Sequence, residues 1–500
     1  MRIKYRPEDF VVQERARTVE PDGDGEFAVY RLTKRKLTTF EAVGRLARVF
    51  RIPKRDIRFA GLKDRQSVSE QVISIRGPHR EYADDELALE YLGRTEEPLT
   101  SEANEANHFE IVVRDCREAD LKPLEKNLDE VKRYGLPNYF DDQRFSCVRY
   151  GQGFIARDFI AGDFESAFKK LVATVYDNDD ATLRHLKGLI RRMWGRWNEL
   201  LESLGERQMF RSAVEHLAHE PKDFAGALNR LGTGLKTIHL FAYQSYIWNW
   251  TVHRYLRKCL EKSQLSELPF AIAFYAVWHE LHGVEKQRWL EQGMSVPLID
   301  HTTRIDDGRL AKALSEALKH EQLSLSRFRI PSEEIFFREE PRSLVLLPQG
   351  LKVDGPERDE AHRGRQKVRL RFTLPRGSYG TLVVRRLFLG SPNLKSLTAP
   401  RSAPRDKETR HGDEKRSDTR GKRAGGPAPA GRGGPSATRG SSPAQRAPHG
   451  SKGPAKPRSK GGTRSSKSGG PAPGGRRNPA GRPQPKKSDN KPGKPPKDHG

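Results

Sequence analysis

Apolar and polar positions change rhythm repeatedly along the chain, and each change marks an element. After a turn at Pro7, Phe10-Val11-Val12-Gln13 reads as a short strand; Pro21-Asp22-Gly23-Asp24-Gly25 is turn chemistry, and Phe27-Ala28-Val29-Tyr30-Arg31-Leu32 reads as a second strand, so the pair predicts a hairpin. Helical spacing then takes over. Phe40, Val43, Leu46, Ala47 and Phe50 recur on one face behind Thr38 or Thr39 as N-cap, which predicts a helix over 40–50. Ile57 to Ala60 and Val72 to Ile75 read as strands, which leaves Gly61-Leu62-Lys63-Asp64-Arg65 on the loop between them, where chemistry is commonly presented. Further strands are expected at Phe109 to Val113, Leu344 to Leu347 and Val368 to Leu374. In the last, Val368, Leu370, Phe372 and Leu374 alternate with Arg369, Arg371 and Thr373, so the arginines face water or a polyanion.

Between about Gly153 and Ile305 the pattern is helical, with segments predicted over Phe164 to Tyr176, Ala181 to Leu204 and Phe241 to Leu260. Strand-rich stretches on either side imply an α+β fold: a mixed or antiparallel sheet domain over 1–152, an inserted, mainly helical domain over 153–305, and the sheet domain resuming over 306–390. The basic stretch from Arg184 to Arg196 is a solvated helix face by default and a phosphate-contacting one if the partner is RNA.

Composition adds a fourth region. Of the net charge of +26, most lies in residues 401–500, which hold 26 Lys and Arg against 7 Asp and Glu. No Val, Ile, Leu, Met, Phe, Tyr or Trp follows Leu397, so the Gly/Pro/Ser/Lys/Arg-rich stretch 391–500 cannot bury a core and is expected to be a disordered, basic tail, an electrostatic arm for RNA or a solubilising one. All 22 Phe, 13 Tyr and 6 Trp precede it and are ample for a folded core. No run of about 18 apolar residues occurs, and Met1-Arg2-Ile3-Lys4-Tyr5-Arg6 lacks the apolar segment of an export signal, so a cytoplasmic protein with no membrane partner is expected. Cys116, Cys147 and Cys259 are widely separated and read as buried thiols of a reducing compartment. His279-Glu280-Leu281-His282 is one residue short of the spacing that aligns two imidazoles on a helix, and no metal is expected. Gly151-Gln152-Gly153-Phe154-Ile155-Ala156 mimics a dinucleotide turn but has no strand–helix–strand context.

Five stretches, taken in order, resemble the tRNA pseudouridine synthase D family. They are Pro7-Glu8-Asp9-Phe10-Val11-Val12-Gln13-Glu14; Phe59-Ala60-Gly61-Leu62-Lys63-Asp64-Arg65-Gln66-Ser67-Val68-Ser69-Glu70-Gln71; Asn107-His108-Phe109-Glu110-Ile111-Val112-Val113-Arg114; Gly135-Leu136-Pro137-Asn138-Tyr139-Phe140 with Gln143-Arg144-Phe145; and Leu374-Pro375-Arg376-Gly377-Ser378-Tyr379-Gly380-Thr381. The middle of the chain resembles it chiefly around Tyr243-Gln244-Ser245-Tyr246-Ile247-Trp248-Asn249. This chain departs from the family pattern at Asp141 and Ser146, where glycine is usual, and at Arg386, where glutamate is usual.

The resemblance implies a pseudouridine synthase-type fold and isomerisation of a uridine in tRNA, by the family's habit uridine 13, by a monomer that needs neither metal nor other cofactor. Asp64 matches the catalytic aspartate. Phe10, Asn138, Phe140 and Tyr379 match the residues that hold the uridine, with Lys4, Glu14, Lys63 and Arg65 as supporting candidates. The residue types suit these roles, because an extruded pyrimidine needs stacking faces and groups that match its donor and acceptor edge, and the reacting carbon needs a carboxylate beside it. Two alternatives remain open, a synthase acting on another RNA and a non-catalytic RNA-binding protein; an aspartate retained in a pocket for a polyanion favours an enzyme.

Overall fold

A computed structural model describes residues 1–16, 24–145, 147, 153–176, 179–206, 208–330 and 335–397. Pro21 to Gly23, Ser146, Gly151, Gln152 and the tail beyond Leu397 lie outside the described residues. The fold is α+β. Eight strands, β1 (Phe10–Ala16), β2 (Phe27–Arg35), β3 (Ile57–Phe59), β4 (Val68–Arg76), β5 (Leu87–Thr95), β6 (Asn104–Cys116), β7 (Gln349–Arg358) and β8 (Gln366–Pro375), form one mixed sheet. Its order is β7-β8-β6-β1-β4-β2-β5, with β3 also on β4. Strands from Phe10–Cys116 and from Gln349–Pro375 therefore build the same sheet, and helices and short strand pairs occupy the sequence between.

The expected hairpin of Phe10–Gln13 with Phe27–Leu32 does not form, because β4 lies between β1 and β2. Gln71 to Ile75 are buried without interruption, the signature of a strand covered on both faces, and such a strand takes an interior place. It pairs parallel with β1 through Val11–Val68 and antiparallel with β2 through Tyr30–Ile73. β3 holds the same edge of β4 further on, through Ile57–Ile75. The loop from Ala60 to Ser67 must therefore return alongside Phe10, and this register is what carries Asp64 to the start of β1.

The expected 40–50 helix runs Thr39–Val49, closed by a capping box in which Thr38 and Glu41 exchange bonds. Ala181–Leu204 is two helices, Ala181–Arg192 and Trp197–Glu202, because the chain turns at Gly195 with φ of +85°, a conformation that ends a helix and suits glycine. Phe164–Val172 stops short of Tyr176, and the helix expected from Phe241 begins at Thr233 and runs to Cys259. Its two faces serve two cores: Leu240, Tyr243 and Ile247 pack among the inserted helices, while Trp248, Val252 and Leu256 pack beneath the sheet. Leu344–Leu347 supplies only Val345–Leu346, paired with Leu136–Pro137, and the preceding Glu340–Ser343 strand pairs with Ser295–Leu298.

The N-terminal segment is fixed by a buried charge cluster. Arg114 of β6 donates through Nε to both oxygens of Asp9 at 2.9 Å and through Nη1 to Asp359 at 2.9 Å, so the entry to β1 is tied to the end of β7. The helix Gly380–Leu387 begins close against β6, where Gly380 has no side chain: a Cβ there would stand 2.8 Å from Phe109 Cδ1 and 3.3 Å from Ile111 Cδ1. Both neighbours are core residues that cannot yield freely. Gly380→Ala is expected to lower unfolding free energy by about 1–3 kcal/mol, the usual effect of overpacking, read as a lower urea midpoint at unchanged m-value.

Candidate active site

Asp64 owes its position to its own backbone. Its carbonyl oxygen accepts from Lys34 Nζ at 2.9 Å and Ser67 Oγ at 2.8 Å, which turns the main chain inward and leaves the side chain to project. Lys34, on β2, is fully buried and also donates to Leu37 O at 2.7 Å. Burial brings its ammonium down to about 8, with the Asp64 charge acting in the opposite sense. The loop is fastened on both flanks: Lys63 N donates to Thr39 Oγ1 at 3.0 Å, and Lys63 Nζ donates to Glu14 Oε2 at 2.8 Å. Burial raises the Glu14 carboxyl and the Lys63 ammonium opposes that rise.

The Asp64 side chain is 40 % exposed. Oδ2 accepts from Lys4 Nζ at 2.5 Å and from Gln143 Nε2 at 3.0 Å, and among the described residues no hydrogen bond engages Oδ1. Surrounding protein pushes this carboxyl up; the Lys4 ammonium, then Gln143 and Lys34, outweigh that push and hold it below its ordinary 3.8. At neutral pH it is an anion with one oxygen held and one presented, the state a nucleophile or base requires.

Around it stand the aromatic groups. Lys4 Nζ lies 4.3 Å from the centre of the Phe10 ring, so one ammonium serves both the carboxylate and the ring. Phe140 is clamped at its backbone by one side chain of the Thr233–Cys259 helix: Phe140 N donates to Asn249 Oδ1 and Asn249 Nδ2 donates to Phe140 O, each at 2.9 Å. Tyr139, between the two candidates, is core and donates to Ala276 O at 2.7 Å. Arg342 then gathers three segments. Its Nε donates to Asn138 O and its Nη2 to Asn138 Oδ1, each at 2.8 Å, its Nη1 donates to Gly377 O at 3.1 Å, and its Cζ stands 3.9 Å above the Phe140 ring. Tyr379 follows two residues after Gly377, its ring centre 6.4 Å from that of Phe140. Burial raises the Tyr379 phenol; Arg144 and Arg342 oppose this and Asp64 adds to it, which places all four in one electrostatic neighbourhood.

Lys4, Phe10 and Asp64 thus form one contiguous group, and Asn138, Phe140 and Tyr379 a second, joined to the first by Gln143 and by the field at Tyr379. Asn138 and Phe140 are only 4 % and 6 % exposed, and the Asn138 amide is engaged with Arg342 and, from Nδ2, with Ser343 O at 3.2 Å. Lys63 and Glu14 lie behind the loop as a buried pair. Arg65 points away, to Glu41 at 2.7 Å. Sequence reasoning missed Lys34, Gln143, Asn249 and Arg342. Gln143 opens the Gln143-Arg144-Phe145 motif, whereas Arg342 follows Glu339-Glu340-Pro341 with no pattern to single it out. The departures at Asp141 and Arg386 are accounted for by partners: Asp141 pairs with Arg385 and accepts from Thr381, and Arg386 donates to Asn127 Oδ1 at 3.0 Å and Glu130 Oε2 at 2.6 Å. Among the described residues no group of three or more His, Cys, Asp or Glu is placed to hold a metal ion.

Known proteins are similar to this chain over most of its length. The family model described as tRNA pseudouridine synthase D (TruD) matches residues 1–387. The probable tRNA pseudouridine synthase D 2 of Methanocaldococcus jannaschii is 31% identical over 399 residues, covering 78% of this chain and 92% of that protein. The tRNA pseudouridine synthase D of Aquifex aeolicus is 28% identical over 403 residues, covering 78% and 98%. In fold, the chain is similar to the crystal structure of a putative tRNA pseudouridine synthase D from Methanosarcina mazei, with a TM-score of 0.56 at 24% identity over 77% of this chain and 93% of that one.

The Lys4–Asp64 pair makes a pH prediction. With its pKa depressed, Asp64 is ionised at every pH above its ordinary 3.8. Removing the ammonium in Lys4→Met leaves burial less opposed, so the Asp64 pKa must rise. Carboxyl-carbon NMR titration is expected to place Asp64 below 3.8 in the wild type and at higher pH in Lys4→Met; equal midpoints would mean that Lys4 does not hold the charge.

Proposed function

The chain belongs to the tRNA pseudouridine synthase D family, and from that membership we propose that it converts a uridine of tRNA to pseudouridine, uridine 13 by likeness to the family, acting in the cytoplasm as a monomer without metal or redox cofactor. One observation carries the reading: an ionised, part-exposed Asp64 carboxylate with Oδ2 held by Lys4 and Gln143 stands beside the ring of Phe10. Membership of the family supports reading this group as the one that acts on the uridine. Residues 1–152 and 306–390 would form the catalytic unit and 153–305 a grip on the RNA.

The reaction is an isomerisation, so nothing is gained or lost overall. With the uridine turned out of its stack, Phe10, Phe140 and Tyr379 supply faces for the ring, and Asn138 supplies a donor and an acceptor for its edge once its present partners release it. Asp64 Oδ1 approaches C1′ as the C1′–N1 bond breaks and its electron pair leaves with N1. The base turns within the site, C5 bonds to C1′ and the Asp64 oxygen departs. The proton on C5 is lost and N1 ends protonated. Lys4 keeps the carboxylate ionised for the first step, and the Lys34 and Ser67 bonds to the Asp64 carbonyl oxygen hold its position against the moving base.

Base-resolution pseudouridine mapping of RNA from cells lacking the gene tests the reading. The expected result is loss of one pseudouridine, at position 13 of tRNA, restored by the wild-type gene and not by an Asp64→Asn copy. Loss at another tRNA position would correct the site alone, and loss confined to another RNA would refute the tRNA assignment.

A further inference from the structure

The helix Thr39–Val49 and the loop bearing Asp64 are fastened edge to edge by two bonds, Lys63 N to Thr39 Oγ1 at 3.0 Å and Arg65 Nη2 to Glu41 Oε1 at 2.7 Å. The residues flanking these fastenings face outward: Phe40 is 62% exposed and Leu62 is 60% exposed. The bond between their immediate neighbours, Thr39 and Lys63, brings the two backbones side by side. Leu62 is two residues from Asp64, within about 7 Å along the backbone. Phe40 does not swing freely, since the Phe59 ring packs edge-on against it with centroids 5.9 Å apart. The surround is mainly cationic. Arg65 remains 62% exposed although paired with Glu41, its Nε reaches Lys36 O at 3.4 Å, and the Lys36 side chain is itself exposed.

None of this is needed to hold the loop, which the polar fastenings already do. A held, solvent-facing aromatic ring in a cationic setting has the two properties by which proteins grip single-stranded nucleic acid, a π face and nearby positive charge. Turning a uridine out of its stack also leaves the adjacent base without a stacking partner. We propose that Phe40 and Leu62 form a stacking platform for the base next to the reacting uridine in the RNA strand. This rests on the proposed activity and extends it from the reacting nucleotide to its neighbour.

Single-turnover pseudouridine formation by the full chain provides the test, using three tRNA transcripts: intact, abasic on the 5′ side of the target uridine, and abasic on its 3′ side. Phe40→Ser is expected to raise the half-saturating concentration of intact RNA about tenfold while the saturated rate stays close to wild type. On one of the two abasic RNAs that difference disappears, and Phe40→Trp behaves as wild type on intact RNA. An unchanged half-saturation in Phe40→Ser, or an equal loss on all three RNAs, overturns the platform. So does a wild-type dimer in sedimentation that Phe40→Ser dissolves, which would give the patch to a second copy of the chain. Wild-type protein that binds the intact RNA and converts no uridine overturns the activity itself; a converting wild type with an indifferent Phe40 overturns the platform alone.

Discussion

An ionised carboxylate held against an aromatic ring by a lysine is the constraint on which the site depends. Burial by itself raises the Asp64 carboxyl and so works against the charged form. Lys4 opposes this most strongly, its Nζ meeting Oδ2 at 2.5 Å while resting over the Phe10 ring, and Gln143 and Lys34 add to it. That contact joins residues sixty apart in sequence, and much of the fold serves to make it. The Arg114 cluster holds the N-terminal segment to β6 and β7, the β1–β4 register brings the loop beside Phe10, and buried Lys34 fixes the Asp64 carbonyl from below.

A second lysine therefore does different work from the first. Lys4 acts on the carboxylate by direct contact, whereas Lys34, besides a smaller effect of its charge there, holds the main chain through hydrogen bonds that a neutral amine could also donate. Burial brings Lys34 down to about 8, below the ordinary value for a lysine. Between that pH and the unfolded value the unfolded chain binds the extra proton, so the Lys34 contribution to stability rises with pH there and is least where the lysine is charged in both states. The loop geometry is thereby less sensitive to alkaline pH than the charge of a buried lysine alone would suggest.

How much was legible in the sequence follows from the range of each interaction. The Thr39–Val49 helix was readable because its cap and apolar stripe are local, and β8 because Val368, Leu370, Phe372 and Leu374 alternate. The β1–β2 hairpin was misread because nothing near Pro21 reveals that Val68–Arg76 will pair between the two strands. Within the site, Asp64, Phe10, Asn138, Phe140 and Tyr379 were named from motifs. Arg342 was not, since it acts through a contact at a separation of 204 residues that no local pattern records, and Asn249, though it ends the Tyr243–Asn249 stretch, clamps Phe140 across 109 residues. The same long reach explains Asp141 and Arg385, buried charges that look out of place singly and make sense as a pair.

The central claim, that Asp64 acts as an anion at the reacting carbon and not as a fastening of the loop, is tested most directly by purified Asp64→Asn protein assayed in parallel for tRNA binding and for pseudouridine formation. The substitution keeps the volume and removes the charge, and the carbonyl held by Lys34 and Ser67 is untouched. The account predicts tRNA affinity within a few fold of wild type and no detectable pseudouridine. Conversion at a rate near wild type would contradict it.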